Sequence, residues 1–269
     1  MLDHTDLVER GIRRLKGLLK PKAVYIGVEK NKPKSIAKLR EVFKGDKDVI
    51  VKALPPEYPQ GGEKVLIFNT VGRVVPEGKL PLDVGVVIMN VTTVANVEQY
   101  IETGMPLVEK VITVDGSAIA EPKNVIAPIG TKIRDIIDFC GGFKTEPGKL
   151  LYGGPMMGIA MPDLDAPVLK HTNALLAFSK EDSAVPEETP CIRCGNCVNH
   201  CPMRLNPPAI AKAYKNNDGE GLYKQRVNLC MECGACAFVC PAHQPIVQRH
   251  KLAKTVLRNW QNSQKGGKA

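Results

Sequence analysis

The amino-acid sequence predicts three folded units in succession: a partial α/β domain of Rossmann-like type, a β-grasp domain, and a mainly helical domain built around cysteines. A strand–helix–strand pattern lies near the N-terminus, and two short strands followed by a helix lie near the middle. Eight of the nine cysteines fall between Cys191 and Cys240. The predicted boundaries are 1–107 for the α/β domain, 108–152 for the β-grasp domain, 153–188 for a connector, 189–262 for the cysteine domain and 263–269 for a disordered tail.

The first domain opens with an amphipathic helix that Pro21 ends. Its apolar residues recur every three or four positions: Val8, Ile12, Leu15 and Leu19. Strands are predicted over 23–28 and 49–54, which are rich in β-branched residues, and a helix over 33–43 lies between them. This order indicates a βαβ unit.

The second half of the α/β domain begins with a rigid loop that contains three prolines. Gly61-Gly62 then precedes a predicted helix over 63–71. The apolar run 84–89 predicts another strand, and a helix follows to near Glu102, with Thr92 or Thr93 as its N-cap.

The middle of the chain alternates in the manner of a small sheet. Residues 111–114 and 125–127 predict two strands, and Asp115-Gly116 is a turn signal between them. A helix over 131–139 and a strand near 150–152 complete a β-grasp-like unit. The segment that follows is rich in Gly, Pro and Met, which predicts an irregular connector.

The cysteines form two runs with the same spacing, C-x2-C-x2-C-x3-C-P. This spacing is typical of ferredoxins with two four-iron clusters, in which the fourth cysteine of each run serves the other cluster. We therefore predict two [4Fe-4S] clusters. The first would be held by Cys191, Cys194, Cys197 and Cys240, and the second by Cys230, Cys233, Cys236 and Cys201.

Zinc and disulfides are the alternatives for these cysteines. Zinc sites use paired C-x2-C units, so a third cysteine at the same interval in both runs fits zinc poorly. Disulfide frameworks are seldom so regularly spaced, and a reducing cytoplasm would leave the thiols free. Cys140, outside the runs, is expected to be a buried apolar residue.

The overall composition is that of a folded chain. Hydrophobic residues make up 43% and charged residues 24% of the 269 positions, which argues against a wholly disordered protein. No apolar stretch approaches the roughly 20 residues that span a bilayer, and the N-terminus does not resemble a secretory signal. The net charge is +9, and the segment after Cys240 has six basic and no acidic residues. That segment is either a solvated terminus or a surface for an anionic partner or membrane.

The chain resembles the C subunit of the Rnf electron transport complex. The similarity rests on the cysteine runs together with GGPMMG at 153–158 and PVLKHTN at 167–173. The stretches YPQGGEK at 58–64 and NVTTVANV at 90–97 are also similar to that protein, and more distantly to the flavin subunit of respiratory complex I. Region 110–143 resembles the soluble-ligand-binding β-grasp (SLBB) domain of the same proteins.

The resemblance implies flavin-site residues. Tyr58, Gly62 and Glu63 would border the flavin or nicotinamide, and Asn90 and Thr93 would hydrogen-bond the flavin. A glycine at a helix start permits close approach of a ligand and offers amide donors, and the end of an apolar strand is a usual ligand position in α/β sheets. The alternative is that Gly61-Gly62 is a turn and Thr93 is an N-cap.

Members of the resembled family carry a Gly-rich G-x-G-G-x-G-F-P-type loop in their N-terminal region, which holds the flavin phosphate. No such segment occurs in this sequence. We therefore expect the chain to correspond to the C-terminal part of the family, either as a natural short form or as a truncated one. FMN and NADH are expected as cofactors only if the N-terminal part is supplied.

By resemblance, the function is electron relay between NADH or flavin and membrane redox partners in an ion-translocating oxidoreductase. The expected partners are other Rnf subunits and ferredoxin or a flavoprotein, with no nucleic acid, and the expected location is peripheral on the cytoplasmic face of the membrane. A cobalamin reductase related to the same Rnf protein and a flavin-free two-cluster electron wire are the alternatives. Neighbouring diol-utilisation genes would favour the former, and an absence of flavin after reconstitution would favour the latter.

Overall fold

The computed structural model describes residues 1–266 and divides into two compact units, Met1–Pro106 and a second that begins at Leu107. Helices and strands both contribute, in agreement with the predicted mixed fold class. The first unit contains α1 (Thr5–Leu19), β1 (Val24–Glu29), α2 (Pro33–Val42), β2 (Val49–Leu54), α3 (Glu63–Val71) and α4 (Val91–Thr103). Among the described residues, no helix is long and apolar enough to cross a bilayer.

The first unit is organised by the parallel pair β1 and β2, in which Val24 lies opposite Val49. Because parallel strands need a crossover, α2 connects them, and this is the predicted βαβ unit. The core is aliphatic and is formed by these buried residues: Val8, Ile12, Ile26, Val28, Ile36, Leu39, Phe43, Val49, Val94 and Ala95.

Two local features of this unit differ from the prediction. The apolar run 84–89 is not a strand: a short 3-10 turn, Pro81–Val84, leads into an irregular segment with Val87 half exposed. No strand in residues 1–266 pairs with this run, so its β-branched residues lack the ladder that would hold them extended. The N-cap of α4 is Asn90, not Thr92 or Thr93, because the Asn90 side-chain oxygen accepts the backbone N–H of Thr92 at 2.9 Å.

The second unit begins with a five-stranded sheet. It contains β3 (Glu109–Asp115), β4 (Lys123–Pro128), α5 (Ile133–Phe139), β5 (Pro147–Tyr152), β6 (Ile159–Ala160) and β7 (Ala174–Ser179), in the sheet order β4-β3-β7-β5-β6. The central pair, β3 and β7, is parallel, and the other pairs are antiparallel. Helix α5 supplies Ile133, Ile136 and Ile137 to the core beside the sheet. This arrangement is the predicted β-grasp.

The central strand β7 and the short β6 lie inside the segment 153–188, which the sequence predicted to be an irregular connector. Leu175 and Ala177 alternate as buried residues on β7, and this period of two was hidden among prolines and glycines. The turn glycine Gly116 lies against β7, where an added Cβ would come within 2.2 Å of the Ala177 carbonyl oxygen. Only glycine allows this close approach.

The remaining elements are α6 (Asn196–Asn199), α7 (Pro207–Lys215), α8 (Gly219–Lys224), α9 (Ala235–Phe238) and α10 (Ile246–Gly266). Helices α7, α8 and α10 pack around a small core of Leu205, Ile210, Ala213, Leu222, Val227, Ala253 and Leu257. Helix α10 continues to Gly266, so it covers the first residues of the tail 263–269 that was predicted to be disordered. Residues 267–269 of that tail lie outside the described residues.

Candidate metal centres

The two cysteine runs fold as a structural repeat with a constant offset of 39 residues, as between Cys191 and Cys230. Left-handed backbone conformations recur at matching positions. Arg193 and Glu232 both have φ of 57°, and Gly195 and Gly234 have φ of 80° and 87°. The same local backbone therefore follows the first cysteine of each run.

The fourth cysteine of each run is also held in the same way. Helices α6 and α9 begin after Gly195 and Gly234. The Cys201 N–H donates to the Val198 carbonyl at 3.2 Å, and the Cys240 N–H donates to the Ala237 carbonyl at 3.2 Å. The two runs are thus equivalent in backbone geometry.

One cavity brings cysteines from both runs together. Its cysteine lining consists of Cys201, Cys230, Cys233 and Cys236. The fourth cysteine of the first run therefore faces the first three of the second run. Leu205, Pro207 and Val247 also line the cavity and shield it with apolar surface.

The electrostatics of the thiols follow the same crossed grouping. Burial, together with the nearby thiols of Cys230 and Cys201, raises the pKa of Cys236 to about 12. Burial also raises the pKa of Cys197, with a contribution from the nearby Cys240 thiol. Each run is thus electrostatically coupled to the last cysteine of the other.

The donor set fits an iron–sulfur cluster. Thiols whose pKa is raised by burial become ligands only when a strongly positive centre stabilises the thiolate, and cluster iron is such a centre. Within residues 1–266, no group of three or more His, Cys, Asp or Glu side chains forms a site for a single metal ion. The two groups differ in exposure, because Cys191 and Cys194 are exposed whereas Cys233 and Cys236 are buried.

A buried histidine beside the second group was missed by the sequence analysis. His250 on α10 is 1% exposed, and its Nδ1 lies 3.4 Å from Cys230 Sγ. Burial lowers the pKa of His250, and the backbone carbonyl of Pro207 opposes this shift. Its position in the apolar stripe with Ala253 and Leu257, at spacings of three and four, was the signal that could have revealed it.

The GGPMMG loop contacts the second cysteine run. A Cβ added to Gly234 would come within 3.1 Å of the Met156 carbonyl oxygen and 3.3 Å of its Cε atom. An equivalent Cβ at Gly195 would meet nothing within 4 Å. Met156 therefore covers the second run at Gly234, whereas the equivalent position of the first run, Gly195, is uncovered.

The five residues expected at a flavin site lie at the starts of two helices of the first unit. Gly62 is the N-cap of α3 and Glu63 is its first residue, while Tyr58 is half exposed on the preceding loop. Asn90 is the N-cap of α4, and Thr93 is exposed in its first turn. The Asn90 side chain is engaged in capping, and the assignment of all five residues to flavin stays a prediction.

Three families match successive parts of the chain. Residues 1–99 match the Nuo51 FMN-binding domain, residues 111–160 the SLBB domain and residues 187–244 the 4Fe-4S dicluster domain. The dicluster match confirms the prediction of [4Fe-4S] clusters as the cofactors of the cysteine region, and the Nuo51 match is consistent with FMN.

The curated relatives include C subunits of ion-translocating oxidoreductase complexes. The chain is 46% identical over 211 residues to the C subunit of the proton-translocating ferredoxin:NAD(+) oxidoreductase complex of Clostridium ljungdahlii, covering 78% of this chain and 46% of that protein. It is 41% identical over 221 residues to the C subunit of the Na(+)-translocating complex of Acetobacterium woodii, covering 80% of this chain and 50% of that protein. The chain thus spans about half the length of these relatives.

A solved structure shows the same fold at low sequence identity. An NAD+-reducing [NiFe]-hydrogenase chain superposes with a TM-score of 0.61 at 13% identity, covering 94% of this chain and 52% of that chain. The resemblance seen in the sequence motifs is therefore confirmed: over the part that they share, the chain is a relative of the C subunits of the ion-translocating ferredoxin:NAD(+) oxidoreductase complexes, the Rnf family.

Proposed function

We propose that this chain is the iron–sulfur electron-transfer part of an Rnf-type oxidoreductase. It relays electrons between NADH or flavin and the redox partners of a membrane complex that couples ferredoxin and NAD chemistry to ion transport. Its partners are the other subunits of that complex and ferredoxin or a flavoprotein, and it lies peripherally on the cytoplasmic face. The relatives' names, which describe ferredoxin:NAD(+) oxidoreductase subunits, support this proposal.

The observation that carries the proposal is the crossed arrangement of the cysteines. Because the fourth cysteine of each run faces the other run, the two cluster sites share one small fold and must be close together. Bound [4Fe-4S] clusters supply single-electron transfer. A pair of adjacent one-electron sites is suited to electron relay.

We assign the ligands according to that arrangement. The first cluster takes Cys191, Cys194, Cys197 and Cys240, and the second takes Cys230, Cys233, Cys236 and Cys201. The chain holds the thiolates and excludes water from the second site, while the first site stays open to solvent at Cys191 and Cys194.

At the flavin end, we propose that Tyr58, Gly62 and Glu63 border the flavin or nicotinamide and that Asn90 and Thr93 bind the flavin. The N-termini of α3 and α4 carry backbone amide donors and the positive ends of two helix dipoles, which suit a phosphate or flavin oxygen. FMN and NADH bind in this proposal when the rest of the subunit is supplied.

The test is cofactor analysis of anaerobically reconstituted protein. Two clusters require about eight iron and eight sulfide per chain, and a brown absorbance that dithionite bleaches. About four of each, or stoichiometric zinc, would contradict the proposal. Parallel measurement of FMN, with and without the rest of the subunit, separates a flavin-bearing subunit from a flavin-free electron wire.

A further inference from the structure

The two cluster sites have the same backbone but different surroundings. Helices α7 and α10 begin at equivalent positions of the repeat, Pro207 and Ile246. In this register, His250 on α10 corresponds to Ala211 on α7. The second site therefore has a buried imidazole at a position of the repeat that is an alanine in the first copy.

The imidazole of His250 contacts a cysteine of the second site. Its Nδ1 lies 3.4 Å from Cys230 Sγ, within the range of an N–H···S hydrogen bond. Its Nε2 is buried, and no atom of residues 1–266 lies in hydrogen-bonding geometry to it. In the Nδ1–H tautomer the ring donates to the Cys230 sulfur, and the Pro207 backbone carbonyl is a second hydrogen-bonding neighbour of the ring.

A positively charged side chain also lies beside Cys230. Lys254, one turn further along α10, donates to the Cys230 carbonyl at 2.7 Å and to Glu232 Oε1 at 2.6 Å. The equivalent residue on α7 is Lys215, which is exposed. Helix α10 therefore presents a hydrogen-bond donor and a tethered ammonium group to the segment that begins at Cys230.

We propose that His250 is a positioning residue that raises the reduction potential of the second cluster above that of an otherwise equivalent site. Reduction adds negative charge that is shared by the ligand sulfurs, and an N–H donor to one of those sulfurs stabilises the reduced state. The equivalent residue of the first repeat copy, Ala211, has no side-chain donor. The two clusters are therefore unequal, and an electron favours the second. This inference rests on the proposed cluster function.

The experiment is a redox titration of reconstituted protein followed by EPR. It uses a Cys194→Ala background so that only the second cluster contributes. His250→Leu is expected to disfavour reduction about tenfold, a downward shift of about 59 mV for a one-electron couple. His250→Asn keeps a donor at the position of Nδ1 and should restore most of the shift. His200→Ala is the matched control, because His200 is exposed and its Nδ1 contacts the Asn196 carbonyl oxygen instead of a sulfur.

An unchanged midpoint in His250→Leu, or an equal shift in His200→Ala, would overturn the inference. If the Leu variant fails to assemble its cluster, pulsed EPR of wild-type protein labelled with ¹⁵N-histidine decides the matter. A histidine nitrogen coupled to the reduced second cluster supports the hydrogen bond, and no coupling refutes it. Failure of the proposed function is distinguishable, because wild-type protein would then lack the iron and sulfide of two clusters.

Discussion

Among single residues, the fourth cysteine of each run gives the sharpest test of how the ligands are divided between the two clusters. Cys201 lies in sequence next to the first run, yet it lines the cavity of Cys230, Cys233 and Cys236. Sequence proximity and spatial proximity therefore make opposite predictions about which cluster a Cys201 variant should damage.

We predict that Cys201→Ala removes the second cluster and lowers bound iron to about half. Its EPR spectrum should match that of Cys233→Ala and differ from that of Cys194→Ala, because Cys201 and Cys233 line the same cavity. Cys140→Ala is the control, since Cys140 is fully buried in the β-grasp core. A Cys201→Ala spectrum that matches Cys194→Ala would contradict the crossed assignment.

A buried ion pair gives the first unit a dependence on pH. Glu98 on α4 is 1% exposed and accepts from Arg14 Nε at 2.5 Å and Nη2 at 2.8 Å. These hydrogen bonds, followed by the charge of Arg14, hold the pKa of Glu98 below its usual value. Because the folded-state pKa is the lower one, the stabilisation is complete at neutral pH and is lost as pH falls through that pKa.

We predict that Glu98→Gln destabilises the first unit at neutral pH and reduces its sensitivity to acid. Hydrogen exchange of α1 and α4, measured over a series of pH values, checks both effects. Glu121→Gln is the control, because Glu121 pairs with Lys123 on an exposed surface, where ion pairs contribute little. Equal acid sensitivity of wild type and Glu98→Gln would count against the role given to this pair.

At the scale of elements, close packing of α1 on α4 depends on one glycine. A Cβ added to Gly11 would lie 2.6 Å from the Val94 carbonyl oxygen, and the backbone cannot move aside without separating the helices.

We predict that Gly11→Ala destabilises the first unit by about 1–3 kcal/mol. Gly17→Ala on the same helix meets nothing within 4 Å and should stabilise it by up to about 1 kcal/mol. Denaturant unfolding of both variants checks the opposite signs.

Elements with strong local signals were predictable from sequence. The predicted strand 49–54 and helix 63–71 have the bounds observed for β2 and α3. Elements that depend on distant partners were not: 84–89 has strand-like composition without a partner strand, whereas β7 is a strand because β3 and β5 lie on either side of it. Pairing across the fold is a tertiary property that a local pattern does not contain.

The candidate site likewise has residues with a local sequence signal and residues that only the tertiary fold brings together. The cysteine runs were recognisable because ligand spacing is encoded locally. In the structure Cys201 lines one cavity with Cys230, Cys233 and Cys236, and the assignment of ligands to each cluster stays a prediction. His250 was not recognised, because it lies twenty residues from Cys230 and reaches it only through the packing of α10. Asn90 and Gly62 are helix N-caps in the structure, which is compatible with both interpretations that the sequence left open.

At the scale of the whole molecule, the chain has separate aliphatic cores and a region that depends on its cofactors. The first unit, the β-grasp sheet and the helices α7, α8 and α10 each have a core of their own. Helices α6 and α9, which lie within the cysteine runs, have four residues each. Helices this short are not stable alone, so we expect bound clusters to contribute to their order.

We therefore predict a graded response to iron removal. Anaerobic chelation should abolish hydrogen-exchange protection in α6 and α9 and weaken it at the cavity face of α10. Protection of α7 and α8 should fall less, because Ile210 and Leu222 remain buried in their own core, and protection of the first unit and the β-grasp sheet should be unchanged. Reloading with iron and sulfide is the control and should restore the original pattern. Uniform loss throughout the second unit would mean that the clusters hold the whole unit together, and no loss at all would mean that α6 and α9 are ordered by the chain itself.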